Sequence, residues 1–148
     1  MAIEGTEIEV LLKSEAMALA AITLLLDRSK DRQSQDLLSD CKNFHYNRKE
    51  KLAKLLGGTV TEFSLSMPED VQQVLMAQKL SQALIIDFLT DLEQKLLLSY
   101  QGKASQFNKS ALREMIAEFM AEQKKLLDRL NTESQSITQV FEKRRRPQ

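Results

Sequence analysis

The sequence is poor in the residues that break, staple or mark a chain. Its 148 residues include 4 Gly, 2 Pro, 1 Cys, 1 His and no Trp. A single Cys excludes an intrachain disulfide and any multi-cysteine metal site, and it fits a reducing cytoplasm. No glycine-rich phosphate loop is present, and no strand pattern supports a nucleotide-binding sheet. Cys41 and His45, four apart on one helix, lack the third group that a nucleophile and its base require. Neither charge sign dominates: 21 Lys and Arg balance 21 Asp and Glu, so no overall field draws nucleic acid or acidic lipid. The opening MAIEGTEIEV is acidic, unlike a secretory leader. The longest apolar run, residues 16–26 broken by Thr23, is too short to cross a bilayer. The expectation is a cytoplasmic protein with no nucleic-acid or membrane partner.

What the chain does have is Leu, Ala, Glu, Lys and Gln, all good helix formers. The implied class is all-α, a single helical-bundle domain over residues 1–142, with a basic disordered tail over 143–148. Thr6 and Glu9 have capping-box spacing and predict the start of helix 1. Ile8, Leu11, Leu12, Leu19, Ile22, Leu25 and Leu26 then recur at helical spacing, with Glu15 on the same stripe. The polar stretch 27–35 predicts a turn between antiparallel neighbours. Helix 2 spans 36–58 and stops at Gly57-Gly58, where glycine accepts the left-handed cap. Its core stripe carries Cys41, His45 and Arg48 between Leu38 and Leu52. Residues 59–67 have no helical period, and Ser66 with Glu69 predicts a capped helix 3 running to about Tyr100. A polar turn over 101–107 leads to helix 4, capped by Asn108 or Ser110. The stripe of helix 4 is Leu112, Ile116, Phe119, Leu126, Leu130, Ile137 and Val140, with frayed last turns expected.

Connection lengths bear on topology. A link of about nine residues between helices 2 and 3 reaches ~30 Å when extended. That nearly equals the ~37 Å of a 25-residue helix. A four-helix bundle with a long crossover between helices 2 and 3 is therefore expected, although the same link can also make a relaxed antiparallel turn.

Four polar residues fall near mid-height. Glu15 and His45 are equidistant from the first turn, and Asp87 and Glu122 from the second. Here the phrases SEAMALA, FHYNRKEKLAKLLGG and AEFMAEQKKLLDRL resemble the ferritin-like superfamily. That family places a Glu on helices 1 and 3 and a Glu-x-x-His on helices 2 and 4. The resemblance implies ferritin-like topology and an iron site. Glu15 would be the first carboxylate and Asp87 that of helix 3. His45-x-x-Arg48 and Glu122-x-x-Lys125 stand where the two Glu-x-x-His motifs belong. With helix 3 starting near residue 68, Asp87 also lies ~10 Å out of level with His45.

Two accounts of these residues follow. In one, Glu15, Cys41, His45 and Arg48 form a buried polar cluster in which Arg48 and His45 satisfy Glu15, and no cofactor is expected. In the other, Glu15, His45, Asp87 and Glu122 hold iron or another divalent metal. The functional expectation is a ferritin-like bundle with a degenerate di-iron motif and a structural or interaction role rather than catalysis. The rivals are a metal-binding protein and a helix-binding adaptor or chaperone-like protein. The apolar girth of helices 1 and 3 predicts a homodimer through one of them.

Overall fold

The computed structural model describes residues 2–55, 72–73, 81–107 and 110–145. Four long helices account for nearly all of this: α1 (Ala2–Arg28), α2 (Arg32–Leu55), α3 (Gln82–Ala104) and α4 (Ser110–Arg145). No strand occurs among the described residues, and none of the described helices is long and apolar enough to cross a membrane.

The helix ends follow local chemistry, at places that differ from the sequence expectations. Helix α1 already begins at Ala2, so Thr6 lies inside it and does not cap it. The first turn is tighter than 27–35. Asp31 caps α2 by accepting from the Ser34 amide at 2.9 Å and the Ser34 hydroxyl at 2.8 Å. Those bonds to the carboxylate, the Ser34 amide first, hold the Asp31 pKa below its ordinary value. The Gly57-Gly58 stop lies outside the described residues, as does the Ser66–Glu69 capping box. Helix α3 does not run unbroken from that box. It starts afresh behind Ser81, whose extended backbone (φ −74, ψ 156) and hydroxyl, accepting from the Leu84 amide, make an N-cap. It then passes Tyr100 and ends at Ala104. Helix α4 continues through the stretch expected to fray, and residues 143–145 of the supposed free tail belong to it.

Register gives the topology. Upper core residues Ile22 and Leu25 of α1 pack with Leu38 and Cys41 of α2, Ile86 and Leu89 of α3 and Leu130 of α4. Lower core residues Leu11 and Leu12 pack with Leu52, Tyr100, Phe107, Ile116 and Phe119. Residue numbers rise downward on α2 and α3 but upward on α1 and α4. So α1 and α2 are antiparallel, α2 and α3 parallel, and α3 and α4 antiparallel. Short connections join the antiparallel pairs, and because α2 and α3 are parallel, the end of α2 at Leu55 and the start of α3 at Gln82 lie at opposite ends of the bundle. The described helices thus form an all-α four-helix bundle in which the second and third helices run parallel.

Each helix buries a stripe at alternating three- and four-residue spacing. On α1 it is Ile8, Leu11, Glu15, Ala18, Ile22 and Leu25. On α2 it is Leu38, Cys41, His45, Arg48 and Leu52. The upper and lower apolar clusters are thus separated by a polar layer. Replacing Ser81 with Ala should lower stability by about 1 kcal/mol, and with Gly by only a few tenths. Urea midpoints read the difference, and an unchanged Ser81→Ala midpoint would mean the cap does not define the start of α3.

Candidate functional site

The layer consists of Glu15 from α1, His45 and Arg48 from α2, Glu93 from α3 and Gln123 from α4, each 0–2% exposed. Each occupies a stripe position where helical periodicity demands burial. Their hydrogen bonds, with one ion pair between Arg48 and Glu15, close a ring. His45 Nδ1 donates to Glu15 Oε2 at 2.5 Å, and its Nε2 donates to Glu93 Oε1. Gln123 Nε2 donates to Glu93 Oε2 at 2.6 Å. Arg48 Nη1 donates to Gln123 Oε1 at 3.1 Å and lies 3.6 Å from Glu15 Oε1. Tyr100 Oη donates to that same Glu15 oxygen, and Arg48 Nη2 donates to the Phe119 carbonyl.

Aromatic rings enclose the guanidinium. Its carbon lies 4.0 Å from the Phe44 ring centroid, 4.9 Å from that of Phe119 and 5.3 Å from that of Tyr100. Cations favour such faces, and Arg stacks on them better than Lys does. Phe44 also meets the His45 ring edge-on at 5.1 Å.

A histidine bonded through both nitrogens to carboxylate oxygens donates twice, which makes it an imidazolium. Burial by itself disfavours that charge. The Glu93 charge, the hydrogen bonds to Glu15 and Glu93 and the Glu15 charge outweigh it, and the pKa rises from 6.5 to about 9. Two carboxylates against an imidazolium and a guanidinium sum to zero. The neighbouring hydroxyl and thiol are quiet. Burial, then the Glu15 charge, raises the Tyr100 pKa. Burial, then the Glu93 charge, pushes the Cys41 thiol up to about 12, far from a reactive thiolate.

The structure distributes the sequence candidates unevenly. It brings Glu15, His45 and Arg48 into direct contact. Cys41 lies one turn above His45, inside the apolar cluster, and joins no bond of the ring. Asp87 is exposed on the outer side of α3. Glu122 is 48% exposed and reaches only the edge, 4.0 Å from Arg48 Nη2. The set Glu15, His45, Asp87 and Glu122 therefore does not converge. The helix 3 carboxylate at the level of His45 is Glu93, and the inward residue of α4 is Gln123. The signal for both was spacing. Glu93 continues Ile86, Leu89, Leu96 and Tyr100, while Gln123 fills the gap between Phe119 and Leu126. Because α3 starts at Gln82, Glu93 and His45 are nearly the same distance into their helices, whereas Asp87, six residues before Glu93, stands about 9 Å off that level.

The donor set does not fit a di-iron centre. Such a centre takes four carboxylates and two histidines. Here both His45 nitrogens are committed to carboxylates, and Arg48 is bonded into the same layer. Among the described residues no three of His, Cys, Asp and Glu are arranged to hold a metal ion. No family model, curated protein or solved structure matches the chain.

Linkage makes the ring visible to pH. The His45 pKa is raised on folding, so its contribution is complete below the unfolded value of 6.5 and is lost as pH rises through about 9. The loss should be on the order of 3 kcal/mol. Urea midpoints should therefore fall across that window in the parent and not in His45→Gln; equal slopes would remove His45 as the titrating group.

Arg48→Leu leaves Glu15 short of a countercharge and should cost about 3 kcal/mol or more. Combining it with Glu15→Leu keeps the His45–Glu93 pair neutral and should recover most of that. The orphaned Tyr100 hydroxyl, His45 Nδ1–H and Gln123 Oε1 should retain the remainder of the loss. A double mutant no more stable than Arg48→Leu would show that charge balance is not what Arg48 supplies.

Proposed function

We propose that this chain is a non-catalytic helical bundle with a structural or interaction role, in which an internally neutral hydrogen-bonded ring stands at the level where ferritin-like bundles carry metal. The observation that supports this reading is the double donation from His45 to Glu15 and Glu93. An imidazolium offers no lone pair to a metal or a substrate. Arg48 adds a second cation to the same layer, and two cations repel a dication. The buried acid–base groups neutralise one another rather than facing a cleft. Distant kinship with ferritin-like proteins, with the metal motifs degenerated, is part of this reading and rests on topology and the helix phrases. The interaction half is supported by large apolar side chains left outside: Val10 at 42%, Leu24 at 41% and Leu98 at 66% exposure. The lone buried thiol suits a reducing cytoplasm, where we place the protein.

Elemental analysis of protein purified without chelator tests the reading. The expected result is no stoichiometric iron and no iron-dependent oxygen consumption. Two irons per chain, lost in His45→Ala, would install the metal-binding alternative instead.

A further inference from the structure

The outer sides of α1 and α3 form a groove of about 480 Å³. Met17, Phe88, Leu92 and Leu96 give it an apolar lining, and Lys13, Asp91 and Lys95 also line it. Its charges are ordered along the bundle. Since α1 and α3 are antiparallel with Glu15 level with Glu93, Lys13 stands across the groove from Lys95, and Met17 from Asp91. Two lysines thus face each other on one side of the Glu15–Glu93 level, and the aspartate lies on the other. Within one chain Asp91 bonds Lys95 at 2.9 Å, which leaves the groove with a surplus positive charge. Asp87, one turn beyond Asp91 and exposed, extends the acidic end.

We infer that this groove is where a second copy of the chain docks, about a two-fold axis that crosses it at the Glu15–Glu93 level. The inference rests on the interaction role proposed above and names the partner. An isologous contact must be self-complementary, and this face is. Rotation about that axis exchanges positions equally far before and after Glu93. Lys95, two residues after it, comes opposite the partner's Asp91, two before it. Lys13 lies at the Lys95 level and meets the same acidic end. Leu98, five residues after Glu93 and 66% exposed, comes opposite the partner's Phe88, five before it. A two-fold axis running along the groove would instead set the lysine pairs against each other. One operator therefore relieves the facing lysines and covers the exposed leucine.

Sedimentation equilibrium on the full chain should show a dimer at ~10 µM and above, a range in which a stable dimer survives mass action. Two charge-reversed variants test the face: Lys13→Glu with Lys95→Glu, and Asp87→Lys with Asp91→Lys. All four sites lie outside the core, and circular dichroism verifies folding. Each variant alone should self-associate at least about ten-fold more weakly, because like charges then meet across the interface. An equal mixture should restore association, seen by native mass spectrometry as the heterodimer. A parent that stays monomeric overturns the inference. So does a parent dimer that persists in both variants, since the contact then lies on another face. Either failure leaves the metal analysis, and the reading it tests, standing.

Discussion

Both ring nitrogens of His45 donate to carboxylates, and the rest of the buried layer answers to that fact. A doubly bonded imidazolium needs two acceptors, Glu15 and Glu93. Two buried carboxylates need a second cation, and Arg48 supplies it. The remaining oxygens and the guanidinium need neutral partners. Gln123 serves as donor to Glu93 and acceptor from Arg48, while Tyr100 completes Glu15. Every helix contributes, so the rotation and height of each are tied to the others. Buried ion networks often add little net stability relative to well-packed apolar residues. Their better-attested role is registry, as with a single buried Asn in a coiled coil. Sliding one helix by a turn would leave charges against leucines.

The bundle class was legible from composition and periodicity because both report burial directly. The parallel course of α2 and α3 was legible only as an option, since one stretch of linker can reach along the bundle or fold back. Register between the apolar clusters decides it: Leu38, Cys41 and Leu52 descend α2 alongside Ile86, Leu89 and Tyr100 on α3. The start of α3 at Ser81 was missed because cap signals are local, and Ser81 has no acidic residue three positions on to complete a capping box. What Ser81 has is Ile85, Ile86 and Leu89 immediately downstream, with a core to enter.

The site was half legible for a related reason. Glu15, His45 and Arg48 stood out because polar residues interrupted strongly apolar stripes. Asp87 was selected for its apolar neighbourhood, but Ile85, Ile86 and Leu89 point inward and put Asp87 outside by phase. Glu93 and Gln123 sit in charge-rich surroundings, Asp-Leu-Glu-Gln-Lys and Glu-Gln-Lys-Lys, where only strict spacing separates an inward residue from a solvated one. Phase was the more informative signal than local hydrophobicity. A strict reading of the three-four alternation would have found both.

The closed ring also governs how this sequence can drift. Most core positions can change alone, trading one aliphatic for another at modest cost. The members of this layer are not independent, because losing one partner strands another in low dielectric. Substitutions at Glu15, His45, Arg48, Glu93 and Gln123 are therefore non-additive. Descendants of this chain would keep the set together or lose its members in charge-balanced pairs, and intermediates that strand a single charge would be the least fit of all.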